Sequence, residues 1–196
     1  RSAAKGGRIV IADPVDRQWV LQLLAHGSGV SATNRQQLAA KAEMIVSRYV
    51  HASANYLSEG LYHAVFGTQV AVCKYGENPW QTPATHYRTD TDDPLALQHF
   101  QQLAGAATSF NNLGDVDRAL QVLTHIAAGW LRNFGFLPAI AVGVKHGNAC
   151  GVGVAVNPMH AIRQMIAGDP DALFGGVVIT NFCIKKIIAA DLVLSR

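Results

Sequence analysis

Val142-Gly-Val-Lys145-His146-Gly-Asn148-Ala-Cys150-Gly-Val-Gly153 is the stretch on which the reading of this chain turns. The run Ile140 to Val144 is apolar and rich in β-branched residues, the pattern of a buried strand. It ends on adjacent Lys145 and His146. A Gly-rich turn (Gly147, Gly151, Gly153) is expected next, and Asn157-Pro158 opens a helical pattern. Open α/β sheets bind ligands beyond the carboxyl ends of their strands. A cation beside an imidazole at such an end suits chemistry on a small anionic substrate. Two solvated polar residues at a strand end would have the same sequence.

Working outward, the chain alternates strand and helix patterns. Arg8 to Ala12 and Gln69 to Cys73 read as strands, as does Val177 to Ile179. Asp13 is placed to cap a helix over Val15 to Leu24, and Ser31 or Thr33 to cap a longer one reaching Leu57. Thr82 to Pro94 is polar and acidic, the composition of a surface loop, and Leu95 to Leu103 suits a short helix. Asp115 stands where a cap is expected for a helix whose apolar face is Val116, Leu120, Leu123, Ala127 and Trp130. Gly168-Asp-Pro170 stops the helix after the central stretch. This order implies a parallel or mixed sheet covered by helices, with a domain boundary near Ser58-Glu-Gly60.

The 196 residues are 49% apolar and 15% charged, enough apolar content for a core. A net charge of +3 is too small and too scattered to argue for a nucleic-acid partner. The absence of an 18-residue apolar run argues against a membrane partner. The N-terminal residues lack the apolar core of a signal peptide. Cys73, Cys150 and Cys183 are odd in number and widely spaced, so a reducing cytoplasm is expected rather than a disulfide framework.

The chemistry sits on few residues. His146 is a candidate proton acceptor, because imidazole titrates near neutrality. Lys145 is a candidate for stabilising negative charge at a tetrahedral centre. Together they suit acyl transfer to an amine. Lys74, beside a tight turn, is a candidate phosphate contact or a solvated lysine; Tyr75 stacks, hydrogen-bonds or packs. Asn112 either fixes a substrate amide or serves a turn. His146 and Cys150 are four residues apart, but no catalytic Glu or paired cysteines accompany them, so no metal is expected.

Four stretches in order carry a resemblance to a known family. They are Lys74-Tyr-Gly-Glu-Asn-Pro-Trp80-Gln, Ser109-Phe-Asn-Asn-Leu-Gly-Asp115, Val144-Lys-His-Gly-Asn-Ala-Cys-Gly151 and Gly168-Asp-Pro-Asp-Ala-Leu-Phe-Gly-Gly176. Ile11-Ala-Asp-Pro14 and Thr33-Asn-Arg-Gln-Gln-Leu-Ala-Ala-Lys41 extend it. The chain resembles the bifunctional purine-biosynthesis family that joins AICAR transformylase to IMP cyclohydrolase. The resemblance implies formyl transfer from the co-substrate 10-formyltetrahydrofolate to the 5-amino group of AICAR ribonucleotide. It makes Lys145 and His146 the catalytic pair, and Lys74, Tyr75, Asn112, Phe174 and Gly175 contacts of the nucleotide. It implies a three-layer α/β/α mixed sheet, cytidine-deaminase-like without zinc, and a homodimer. Residues 1–60 would be the end of a cyclohydrolase-like domain and residues 61–196 the first transformylase subdomain. The second subdomain, with the folate-side residues, is expected from outside this sequence. Lys5 matches a cyclohydrolase lysine, which alone does not predict that activity. The family usually has Arg at Lys74, His at Trp80, and Val-Ser at Asp171-Ala172. A non-catalytic nucleotide-binding or dimerisation module of the same descent is the alternative.

Overall fold

The computed structural model describes residues 7–27 and 29–185. Lys5 lies outside them. The chain divides into two compact units, Arg1–Phe66 and Gly67–Arg196.

In the first unit, α1 (Asp16–Ala25) and α2 (Ala32–Leu57) pack through Val20, Val30 and Leu38. Ser31 caps α2, its hydroxyl accepting from the Asn34 N–H at 3.1 Å. Asp13 does not cap α1. Its carboxylate accepts from the Val15 N–H and pairs at 2.8 Å with Lys41, which also pairs with Asp16. The Lys41 ammonium, donating to Asp13, holds that carboxyl below its ordinary value, with help from the Val15 N–H. Hydrogen bonds to Asp13 and then Asp16 push the Lys41 amine up. Arg8 to Ala12, expected as a strand, has no strand pairing among the described residues, and Ile9 and Ile11 are exposed. A short β-prone run needs a partner strand to be stable.

The second unit holds β1 (Gly67–Val72) and β2 (Thr85–Thr89), paired antiparallel. The loop expected over Thr82 to Pro94 therefore contains a strand. Thr85, Tyr87 and Thr89 are strand formers that the neighbouring acidic residues obscure. The helix expected over Leu95 to Leu103 is a single 3-10 turn, Leu97–His99.

The core is built on the central stretch. The helix α3 (Phe110–Phe134) leads into β3 (Ala139–Lys145), then β4 (Asn148–Ala155), α4 (Pro158–Ile166), the short α5 (Pro170–Leu173) and β5 (Val177–Thr180). Strand order is β4-β3-β5, and both pairings are antiparallel. The expectation of a parallel or mixed sheet is thus corrected for the described residues. The Gly-rich segment after His146 is a second strand, not a long turn. Side chains alternate across β3. Ile140, Val142 and Val144 face Ala119 and Leu123 of α3, while Ala141 meets Ala161, Ile162 and Met165 of α4. Helices therefore cover opposite faces of the sheet. Each of the larger fully buried side chains contributes about 1.5–3 kcal/mol.

Glycines at 151 and 153 make the α4 contact possible. A Cβ on Gly151 would strike the Met165 carbonyl, and one on Gly153 the Ala161 carbonyl. Removing the side chains lets helix backbone lie directly on β4.

Candidate functional site

Three structural devices converge at the carboxyl end of β3. The first is the start of α3. Ser109 is its N-cap: the hydroxyl accepts from the Asn112 N–H at 3.3 Å, and the Asn112 amide oxygen accepts from the Ser109 N–H at 3.2 Å. This reciprocal capping box satisfies two otherwise unpaired donors. Asp115, expected as the cap, lies one turn further in. It is buried, 7% exposed.

The second device is the turn between β3 and β4. Lys145 pairs with Asn148 across it, leaving His146 and Gly147 as its two central residues. Both have positive φ, 52° and 73°. That is the hairpin turn whose twist matches its strands. Histidine is among the side chains better tolerated in this left-handed region. The Gly147 N–H donates to Asp115 Oδ1 at 2.7 Å, tying the turn to α3. A hydrogen bond to a carboxylate is among the stronger kinds.

The third device is the segment after β1. The Lys74 N–H donates to the Thr108 carbonyl, the Phe110 N–H donates to the Tyr75 carbonyl, and Asn111 Nδ2 donates to the Glu77 carbonyl at 2.8 Å. Residues 74–77 are laced to the N-terminus of α3. Between these parts lies an open cavity of about 590 Å³, lined by Glu77, Asn111, Asp115, Arg118, His146 and Gly147 among others.

The sequence-predicted residues distribute unevenly around it. His146 lines the cavity and is exposed. Lys145, its neighbour in sequence, extends elsewhere: its amine donates to the Phe174 carbonyl at 2.6 Å. Phe174 thus meets Lys145 through its carbonyl, and Gly175, the next residue, turns with φ of 74°. Lys74 holds its amine 5.5 Å from the Tyr75 ring centroid, a cation–π distance. Asn112 has its amide oxygen committed to Ser109, the turn-residue alternative weighed in the sequence. Glu77, Asn111, Asp115 and Arg118 were not singled out as site residues. The one signal for Asp115 and Asn111 was their place in the Ser109–Asp115 motif. Among the described residues, no three His, Cys, Asp or Glu side chains group as metal ligands.

These features define an α/β unit with a polar cavity at the end of its central strand, walled by the motifs quoted above. Comparison with known proteins gives the family. The model of the AICARFT/IMPCHase bienzyme family matches residues 3–195. Bifunctional purine biosynthesis proteins PurH of Bacillus cereus and Bacillus anthracis are each 34% identical to the chain over 200 residues, covering 98% of it. The chain spans 37% of the length of these relatives. It belongs to the AICARFT/IMPCHase bienzyme family, a family of purine biosynthesis.

Proposed function

We propose that residues 61–196 are the first AICAR-transformylase-like subdomain and that residues 1–60 are the end of a cyclohydrolase-like domain. The substrate is AICAR ribonucleotide, and the reaction is formyl transfer from 10-formyltetrahydrofolate. The observation that carries this reading is convergence. Four motifs spread from Lys74 to Gly176 are joined by the hydrogen bonds Asn111–Glu77, Gly147–Asp115 and Lys145–Phe174. Helices on both sheet faces support a three-layer, cytidine-deaminase-like arrangement without zinc.

In this reading His146 takes a proton from the 5-amino group as its nitrogen attacks the formyl carbon. The carbonyl oxygen gains negative charge in a tetrahedral intermediate. Lys145 stabilises that charge or protonates the departing folate nitrogen. The carbon–nitrogen bond to folate breaks, one forms to AICAR, and the proton lost by the amine ends on folate. Lys145 must leave the Phe174 carbonyl to do this, which its flexible stem allows. Tyr75, Phe174 and Gly175 hold the nucleotide, and Lys74 meets its phosphate. Asn112 contributes through its amide nitrogen, since its oxygen is held by Ser109. The folate-side residues come from a second subdomain, and the working protein is a cytoplasmic homodimer.

The alternative, a non-catalytic nucleotide-binding or dimerisation module, is favoured by Lys74. An ammonium cannot grip phosphate with the two-pronged geometry of the family's Arg. Calorimetric titration with AICAR ribonucleotide tests the shared part of both readings. Saturable binding that weakens severalfold in Lys74→Ala is expected. No heat of binding at millimolar nucleotide would refute both.

A further inference from the structure

We propose that Asp115 is a positioning residue, which clamps the β3–β4 turn through the Gly147 N–H and thereby aims the His146 imidazole into the cavity. The inference deepens the proposed function, since it concerns the residue assigned there as proton acceptor, but its physical core stands without that assignment.

Two central residues of a tight turn have few anchors. The ladder bonds of β3 and β4 end at Lys145 and Asn148, so they fix the turn's feet and not its tip. His146 has an imidazole in contact with solvent and a backbone held at φ 52°. A side chain needs its backbone fixed before it can hold a catalytic geometry. Gly147, the next residue, supplies the one N–H at the tip that α3 receives, at 2.7 Å. Its receiver is rigid for three reasons. Asp115 is 7% exposed, it sits in a 25-residue helix, and that helix is fixed one turn upstream by the Ser109–Asn112 capping box. Four residues beyond Asp115, Ala119 is fully buried against β3, so the clamp and the sheet share one rigid support.

The placement of a carboxylate here has no simpler structural purpose. A buried acidic group on an amphipathic helix is unfavourable without a partner. Ser109 already caps the helix, so Asp115 is not needed for that. Its carboxylate accepts from the turn that carries His146. Asp117, two residues on, also lines the cavity, but its carboxylate accepts from Gln121 at 2.9 Å on its own helix. It is the natural control.

The test uses the isotopically labelled full chain and needs no nucleotide. Spectra of the wild type, Asp115→Ala, Asp115→Asn and Asp117→Ala are compared for Gly147 amide exchange and the His146 ring resonances. Asp115→Ala should speed Gly147 exchange at least tenfold and move the His146 ring signals. Asp115→Asn keeps an oxygen acceptor and should restore both, and Asp117→Ala should leave both unchanged. Unmoved Gly147 and His146 signals in a folded Asp115→Ala protein would overturn the proposal, as would equal disturbance by Asp117→Ala. If Asp115→Ala does not fold, the wild type decides by itself. A through-hydrogen-bond coupling between the Gly147 nitrogen and the Asp115 carboxyl carbon is expected, and a Gly147 amide that exchanges as fast as an open loop contradicts it. Failure of AICAR binding would leave these readouts intact, so the two proposals fail separately.

Discussion

Lys145 Nζ lies 2.6 Å from the carbonyl oxygen of Phe174, joining the end of the central strand to the Gly168–Gly176 turn across 29 residues of sequence. Lys145 and His146 are adjacent in the chain yet serve different neighbours, because one ends a strand and the other begins a left-handed turn. Replacing Lys145 by Met keeps the aliphatic stem and removes the donor. The 174–176 segment should then exchange its amides faster, with stability lowered by about 1 kcal/mol in chemical denaturation. Unchanged exchange at Gly175 and Gly176 would show that the contact does not hold the turn.

Gly153 has no room for a side chain. A Cβ there meets the carbonyl of Ala161, which belongs to helix backbone and cannot swing away. Gly153→Ala should destabilise the second unit by about 3 kcal/mol, by forcing α4 off the sheet. A melting temperature within a degree of the wild type would contradict this packing. Met165→Ala, at a fully buried position on the same helix, opens a cavity instead and should cost about 2–5 kcal/mol.

Much of this arrangement was legible in the sequence, and the failures have physical causes. The strand over Ile140 to Val144, the helix after Asn157 and the long helix capped by Ser31 follow from periodicity and caps. The second strand of the central hairpin did not. Gly151 and Gly153 look like turn residues, and only the approach of α4 explains why a strand carries them. Asp115 misled in a similar way. Acidic residues favour helix starts, but Ser109 with Asn112 had already begun α3, leaving Asp115 for a contact 32 residues away. Periodicity reports local structure and carries no information about such long-range partners. His146 was found from its residue type and strand-end position; the divergence of Lys145 from it depends on the turn's φ values.

The capping box at α3 should be measurable alone. Ser109→Ala removes an acceptor for the Asn112 N–H and should cost about 1 kcal/mol. Ser109→Asp should restore most of it, since a carboxylate also accepts there. Equal losses in both variants would mean that the serine's role lies elsewhere.

In the first unit, pH should act through Asp13 and Lys41. The Asp13 carboxyl is held below its ordinary 3.8, so its contribution is present above that value and fades as pH falls through the lower folded one. The Lys41 amine is raised above 10.5, so its contribution is present below that value and fades as pH rises through the higher folded one. Asp13→Asn should therefore lower thermal stability by a constant amount across neutral pH, and the difference should shrink in strong acid. A difference that grows on acidification would have the wrong sign.

Large apolar side chains are exposed along α2 and after it, among them Tyr49, Tyr56, Leu57 and Leu61. Surfaces of this kind mark association sites. Light scattering of the chain should give a mass of at least a dimer at micromolar concentration. A monodisperse monomer there would count against the homodimer.

The central claim is that His146 serves formyl transfer to AICAR ribonucleotide. Its most direct measurement is tetrahydrofolate release from 10-formyltetrahydrofolate, with and without AICAR ribonucleotide, for the wild-type chain and His146→Ala, each supplied with the second subdomain. Release should depend on the nucleotide and fall at least a hundredfold in the variant, as removal of a general base demands. Nucleotide-dependent release that survives His146→Ala would contradict the claim, as would no release from a wild-type chain that binds the nucleotide with the second subdomain present.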